Sequence, residues 1–199
     1  MIPLKKITVG TIVCLSFLGL TACSTSKSNV SQHKNIKADH EELRLKFNKV
    51  KLGVKANNFK GGTSLAELKQ LFGGEPNEKF DTPAGNVTLK GYRWNVDDIS
   101  ITIQLLNDSS IVRSISNFKF IRDANITTKD YNSLKNGMSY NKVKELLGEP
   151  DDISQAVSSD KEELQAAWIS GIQSSDSDPG INLTFENDKL TNKQQHGLK

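Results

Sequence analysis

The chain has 199 residues, of which 25% are charged and 36% hydrophobic, and its formal net charge is +3. This composition is typical of a globular domain, and so small a charge argues against nucleic acid as a partner. The three histidines and two cysteines are too few and too scattered to predict a catalytic triad, a metal site or a disulfide framework, so we expect no cofactor, no metal and no catalytic residue.

Residues 1–22 are predicted to be an export signal. Lys5 and Lys6 precede an apolar run from Ile7 to Leu20, which is too short to span a membrane. The segment ending at Cys23, Leu-Thr-Ala-Cys, looks like a bacterial lipobox, in which the signal is removed and the cysteine is acylated. The alternative is an ordinary secretory signal in which Cys23 has no role.

Cleavage before Cys23 has three consequences. Two lysines are lost, so the formal net charge falls from +3 to +1, and the mature domain keeps no free thiol because Cys14 leaves with the signal. Two acyl chains are enough for stable anchoring without a transmembrane helix. Residues 23–40 form the lipidated N-terminus and a polar tether, so we expect a lipid-anchored protein on the extracytoplasmic face of the cell membrane.

One segment of the remaining chain occurs twice, as residues 62–76 and as residues 137–150. Both copies predict a helix of about three turns, with Ser64 or Ser139 as the N-cap and a glycine before a Glu-Pro pair at the end. Glu67 completes a capping box in the first copy only, because Lys142 stands at the matching position. An earlier short helix precedes each copy, and Thr127 with Asp130 predicts a capping box there.

The similarity extends beyond these helices. The matching segments are Phe47–Gly53 with Tyr131–Gly137, Trp94 with Trp168, Ile101–Ile103 with Leu183–Phe185, and Asn107-Asp108 with Asn187-Asp188. The chain therefore divides into unit one, residues 41–119, and unit two, residues 127–199, with an insertion at residues 54–61 of unit one.

After each Glu-Pro pair the apolar residues alternate, which predicts four antiparallel strands per unit. Val87 and Leu89 are out of phase with Tyr92 and Trp94, so we predict a β-bulge at Gly91. The fold class is therefore α+β, with two tandem units, each a helix-loop-helix followed by a four-stranded antiparallel sheet.

These motifs, in the same order in both units, resemble a family of Gram-positive lipoproteins with a tandem domain of unknown function. More distantly, they are similar to the β-lactamase inhibitor protein fold and to the BamE/SmpA outer-membrane assembly lipoproteins. The resemblance implies that the open faces of the two sheets form a surface that binds a protein. It does not extend to β-lactamase inhibition, because this chain has no disulfides and few aromatic residues on that face.

The strand phases predict which side chains lie on the open face. They are Thr88, Lys90, Arg93, Ser100, Thr102 and Gln104 in unit one and Asn182, Thr184 and Glu186 in unit two. These residues either contact a partner or are simply solvated. Trp94 and Trp168 fit the core better than a binding site, and the pairs Asp97-Asp98 and Asp151-Asp152 are predicted to be solvated carboxylates beside turns.

Three functions remain from these observations. The first is a membrane-anchored, non-enzymatic protein-binding module whose partner is an extracellular or envelope protein. The second is a structural or assembly factor of the cell envelope that acts through its helices and the insertion. An envelope hydrolase is disfavoured, because no set of catalytic residues is recognisable.

Overall fold

The computed structural model describes residues 38–199, so the predicted export signal, Cys23 and most of the predicted tether lie outside the described residues. The helices are α1 (Glu41–Lys49), α2 (Leu65–Phe72), α3 (Thr128–Ser133) and α4 (Tyr140–Leu147), with a short 3₁₀ helix at Lys55–Asn57. The strands are β1 (Glu78–Ala84), β2 (Val87–Val96), β3 (Ile99–Leu106), β4 (Ser109–Ser116), β5 (Asp152–Val157), β6 (Glu162–Trp168), β7 (Gly180–Glu186) and β8 (Lys189–His196). We refer to residues 41–119 as the first half and to residues 127–199 as the second half.

The eight strands form one antiparallel sheet in sequence order, β1 to β8. Strands β4 and β5 join the two halves, with partners running from Val112 and Ala156 to Ile115 and Ile153. The sequence predicts antiparallel pairing within each half, but it does not predict this central pair. The surface expected from two adjacent sheets is therefore the face of a single sheet.

All four helices pack on one face of the sheet and create a hydrophobic core in each half. In the first half, Phe47 of α1 and Leu68 of α2 cover Trp94 and the alternate isoleucines of β3. In the second half, Val143 and Leu147 of α4 pack on Trp168 and the apolar residues of β7. Trp94 and Trp168 are 5% and 0% exposed, which confirms that they belong to the core.

The helix ends follow the prediction closely. The Ser64 side chain accepts from the backbone N–H of Glu67 in a reciprocal capping box, and Thr127 and Asp130 form the same box at α3. Ser139 caps α4 without a box. Gly73 ends α2 at φ +86°, a conformation that glycine adopts with little strain.

The predicted bulge at Gly91 is wrong. Strand β2 pairs without interruption with β1, and Gly91 lies opposite Phe80. A Cβ at Gly91 would lie 2.2 Å from the Phe80 ring, so this glycine makes room for an aromatic side chain. The register shifts lie at Gln104/Leu105 and Thr184/Phe185, each just before an Asn-Asp turn with positive φ at both residues.

Several contacts occur in both halves. The indole N–H of Trp94 donates to the Gly74 carbonyl over 3.1 Å, and that of Trp168 donates to the Gly148 carbonyl over the same distance. The register shifts are β-bulges, and they place Leu105 of the first half at the position of Phe185 in the second half. The alignment predicted from sequence, which matched Ile103 with Phe185, is therefore two residues out of register.

The same correspondence continues after the second turn of each half. Arg113 donates to the Val50 carbonyl at the end of α1 and lies over the Phe47 ring. Lys193 donates to the Leu134 carbonyl at the end of α3 and lies over the Tyr131 ring. In both halves a cation from the fourth strand therefore holds the C-terminal end of the first helix.

Candidate protein-binding face

The sheet face opposite the four helices, which we call the open face, has no described α-helix packed against it. Since side chains alternate along a strand, the register identifies one side chain from each strand in a continuous line across this face. This line, which we call the polar row, is Glu78, Arg93, Thr102, Ser114, Ser154, Gln165, Thr184 and Asn192. The side chain of every member is either charged or ends in a carboxamide or hydroxyl group.

The structure supports part of the predicted set of open-face residues. Arg93, Ser100, Thr102, Gln104, Asn182, Thr184 and Glu186 lie on this face by strand phase. Thr88 and Lys90 were misassigned, because without a bulge at Gly91 they share the phase of Trp94 and lie on the opposite face. Lys90 is exposed there and forms an ion pair with Asp81.

The first-half part of the polar row is occupied by its own contacts. Arg93 forms an ion pair with Glu78, with 2.6 Å between Nη1 and Oε2, and its Nε donates to Thr102 Oγ1 over 3.3 Å. The guanidinium also lies over the Phe80 ring. Thr102 and Gln104 are only 5% and 6% exposed, so neither offers much surface to a partner.

The centre and the second half of the polar row are different. The side chains of Ser114, Thr184 and Asn192 form no hydrogen bond with any described residue, whereas Gln165 donates to Glu163 Oε1 and Ser154 is only 3% exposed. Asn192 and the neighbouring Asn182 are exposed, and Thr184 is half-buried. Free hydroxyl and carboxamide groups on an ordered sheet can donate and accept hydrogen bonds from a docked molecule.

The insertion covers one end of the open face in the first half. Phe59 is 5% exposed and joins a third hydrophobic cluster with Leu89, Leu106 and Val112. The register places Glu163, Glu186 and Asn192 at the corresponding positions of the second half, which has no insertion. There Lys161 forms ion pairs with Glu163 and Glu186, and these hydrogen bonds raise the pKa of Lys161.

Two buried carboxylates at the start of β5 were not predicted. Asp151 and Asp152 are 0% and 6% exposed, so the expectation of solvated carboxylates is wrong for this pair, whereas Asp97 and Asp98 are exposed as expected. Asp151 accepts hydrogen bonds from the backbone N–H groups of Phe120, Ile169 and Ser170, from the Ser170 hydroxyl and from the Arg122 guanidinium.

Asp152 has fewer partners. Burial raises its pKa to about 7, and the nearby charge of Asp151 adds to the effect. Hydrogen bonding from the backbone N–H of Phe118, at 3.0 Å, and of Asn117 opposes the shift, as does the charge of Arg44. By strand phase its side chain lies on the open face, two residues before Ser154.

The sequence does contain a pattern that indicates a structural role for Asp151. Asn77 follows the first Glu-Pro pair as Asp151 follows the second, and each side chain accepts a 2.8 Å hydrogen bond from a backbone N–H, that of Asn95 or of Ile169. The recurrence of a side-chain acceptor at this position indicated a structural role. No comparable signal pointed to the burial of Asp152, because Glu78 at the matching position is exposed.

A hollow of about 300 Å³ lies on the helix-bearing face between the halves. Arg113 and Gln155 line it, but the guanidinium of Arg113 already donates to Gln155 Oε1 and to the Val50 carbonyl. Within residues 38–199, His, Cys, Asp and Glu side chains nowhere gather in a group that could hold a metal ion. Every helix in this part of the chain is too short or too polar to cross a membrane.

Comparison with known proteins assigns the fold. Residues 39–198 match the model of DUF3862, a domain of unknown function with a solved structure. The chain belongs to the DUF3862 family. A solved protein of Streptococcus mutans, described as a "putative beta-lactamase inhibitor protein", is 49% identical with a TM-score of 0.76, over 82% of this chain and 100% of that chain. None of the curated proteins matches this chain.

The similarity to this solved protein confirms the part of the predicted resemblance that concerns the β-lactamase inhibitor protein fold. The fold is a mixed α/β arrangement with an eight-stranded antiparallel sheet and a few short helices on one face.

Proposed function

We propose that this chain is a non-enzymatic protein-binding module that captures an extracellular or envelope protein on the open face. The observation that carries the proposal is the second-half end of the polar row, where the side chains of Thr184 and Asn192 are accessible and form no hydrogen bond within residues 38–199. The description of the Streptococcus mutans relative as an inhibitor of an enzyme supports a protein as the ligand.

We further infer that the two halves are copies of one helix-helix-sheet unit. The repeated tryptophan hydrogen bonds, the repeated bulges and the matching roles of Arg113 and Lys193 support this inference. In this view only the second copy retains a polar, accessible end, because the insertion covers the end of the first. The second half would then supply most of the contact surface.

Anchoring through Cys23 completes the proposal and rests on the sequence alone. Acylation would hold the module at the outer face of the cell membrane, with residues 24–40 as the tether. Labelling of cells with a fatty-acid analogue should mark the wild-type protein and should not mark Cys23→Ala. Equal labelling of the two proteins would refute the anchor without touching the binding face.

The binding face is tested by photo-crosslinking in intact cells. A photoreactive residue at Asn192, in the polar row, should yield a discrete cross-linked protein, whereas one at Asn132, exposed on α3, should not. A second substitution, Thr184→Arg, should remove the Asn192 product because it places a bulky charge beside the site. Asn141→Arg on α4 is the matched control and should leave the product unchanged.

Two results would contradict the proposal. One is a product of the same mass from Asn132 and Asn192, since this would mean non-specific proximity. The other is a product at Asn192 that persists in Thr184→Arg and disappears in Asn141→Arg, which would place the partner on the helices.

A further inference from the structure

The insertion in the first half and the segment that leads into it carry a cluster of lysines. Between Phe47 and Ala66 the chain has four lysines and no acidic residue. These residues, Lys49, Lys51, Lys55 and Lys60, are all exposed, and we call them the basic patch. None of the four forms an ion pair with any residue in the described part of the chain, unlike Lys46, Lys69, Lys79 and Lys90. The charges of Lys49 and Lys51 act at longer range on the carboxylates of Glu42 and Glu67.

Backbone hydrogen bonds hold the insertion in one compact loop. Val54 and Lys60 form an antiparallel bridge, and the Val54 N–H donates to the Lys60 carbonyl over 3.1 Å. Lys55 follows Val54 directly, so Lys55 and Lys60 flank the same point of the loop. Lys51 is fixed at the base, where it exchanges two hydrogen bonds with Thr63.

A buried aromatic side chain fastens this loop to the sheet. Asn58 and Phe59 have φ values of +49° and +63°, which are costly for a residue as large as phenylalanine. The Phe59 ring is buried in the third cluster, and its carbonyl accepts a 2.6 Å hydrogen bond from the Ser109 hydroxyl. The anchoring of Phe59 maintains the strained turn and presents the lysines in a fixed place.

The chemistry of the exposed loop favours a lipid surface over a protein. Energetic centres of protein interfaces are rich in Trp, Tyr and Arg and poor in Lys, whereas the exposed cations of this loop are all lysines and its aromatic residue is buried. Val54 at the same point is 53% exposed and adds an aliphatic group between the cations. Lysines near an anionic bilayer each add an attraction that needs no defined geometry.

From this complementarity we propose that the basic patch docks the domain on an anionic phospholipid surface. The patch lies at the end of the sheet where the β1–β2 and β3–β4 turns meet the insertion, since Ala84, Val87 and Leu106 share a cluster with Phe59. Docking at this end leaves the polar row free. This role goes beyond the proposed capture of a protein and does not depend on acylation of Cys23.

The test uses residues 24–199 without the lipid, because 82% of this chain covers the whole of the solved relative and so contains the folded unit. Flotation with vesicles should show binding to mixtures of phosphatidylcholine and phosphatidylglycerol and none to phosphatidylcholine alone. Binding should disappear at about 1 M salt, where charges are screened beyond about 3 Å. Lys55→Glu/Lys60→Glu should weaken binding at least tenfold.

The matched control is Lys129→Glu/Lys135→Glu, which changes the net charge equally at two exposed, unpaired lysines of the second half. It should retain binding within about threefold, and thermal melts should show that both variants are folded. Equal losses in both variants, equal binding to neutral vesicles or no binding at all would overturn the proposal. Tighter binding to soluble polyglutamate than to the anionic vesicles would assign the patch to an acidic protein instead and would also overturn it.

Discussion

Asp151 and Asp152 are adjacent in sequence but have different surroundings. Asp151 is fully buried and accepts five hydrogen bonds, one of them from the guanidinium of Arg122. Asp152 is almost as deeply buried, yet its hydrogen-bond partners are the backbone N–H groups of Phe118 and Asn117. The hydrogen bonds to Asp151 offset the cost of burying its negative charge. Asp152 has fewer hydrogen bonds, so burial favours its neutral form.

We therefore predict that Asp152 lowers stability at neutral and alkaline pH. Its pKa rises from an ordinary value of 3.8 to about 7 on folding, so the folded state binds more protons between these values. The free energy of unfolding should then fall as pH rises from 4 to 7. Asp152→Asn keeps an acceptor for Phe118 and should raise the free energy of unfolding by about 2 kcal/mol at pH 8 and by little at pH 4.

Urea denaturation across this pH range measures the effect. Asp98→Asn, at an exposed aspartate, is the control and should change the free energy of unfolding by less than about 0.5 kcal/mol. A stabilisation by Asp152→Asn that is the same at pH 4 and pH 8 would show that ionisation of this carboxyl is not its cause.

At single residues, local sequence signals gave correct predictions where the chemistry is local. The caps at Ser64, Thr127 and Ser139 depend on residues three positions apart, and all three form as expected. Burial of Asp152 depends on the strand pairing between β4 and β5, which brings distant segments together. No spacing within one segment contains that information.

Among the elements, the insertion at residues 54–61 explains why the two halves differ on the open face. Phe59 covers apolar positions such as Leu89 and Leu106 in the first half. The second half has Glu163 and Glu186 at the matching strand positions, where both form ion pairs with Lys161. An apolar strand end and the loop that covers it therefore occur together, and neither is present in the other half.

Removal of the Phe59 side chain should destabilise the insertion and the sheet beneath it. Phe59→Ala should lower the free energy of unfolding by about 3 kcal/mol, because the third cluster loses its central ring. Phe59→Gly should be less destabilising than Phe59→Ala by about 1 kcal/mol, since glycine adopts φ +63° without strain.

Thermal or chemical denaturation of the two variants tests both statements. In ordinary extended or helical backbone the order is reversed, with glycine less stable than alanine. Finding that order at position 59 would mean that the positive φ of Phe59 is not a source of strain.

The alternation of apolar residues predicted the positions of the strands better than it predicted which side chains lie on which face of the sheet. The alternation in β3 and β7 assigned their open-face residues correctly, whereas β2 was assigned through a bulge that does not exist. In β2 the apolar residues lie on both faces, since Leu89 packs under the insertion and Trp94 under the helices. A strand that is buried on both faces has no single phase, and the pattern alone cannot assign its sides.

For the molecule as a whole, both backbone pairing and side-chain packing join the two halves. Strands β4 and β5 share backbone hydrogen bonds, and Ile153 of β5 belongs to the core of the first half. Arg44 of α1 donates to the carbonyls of Pro150 and Asp151 over 2.8 and 2.6 Å, and its guanidinium lies against the rings of Phe118 and Phe120. These contacts bury a cation that neither half could satisfy by itself.

We therefore predict that the two halves fold as one cooperative unit. Division of the chain at Asp123, in the exposed connection, would leave β4 and β5 as unpaired edges and Arg44 without its acceptors. Fragments of about this size bury only about 60% of their unfolded surface, so they have little stability to lose. Residues 38–123 and 124–199 should each be largely unfolded alone, and mixing them should restore the sheet.

In calorimetry, residues 24–199 should give a single transition whose calorimetric and van't Hoff enthalpies agree. Two separate transitions, or halves that each melt at the temperature of the whole, would show that β4 and β5 join two independent domains and that the polar row is not one rigid surface.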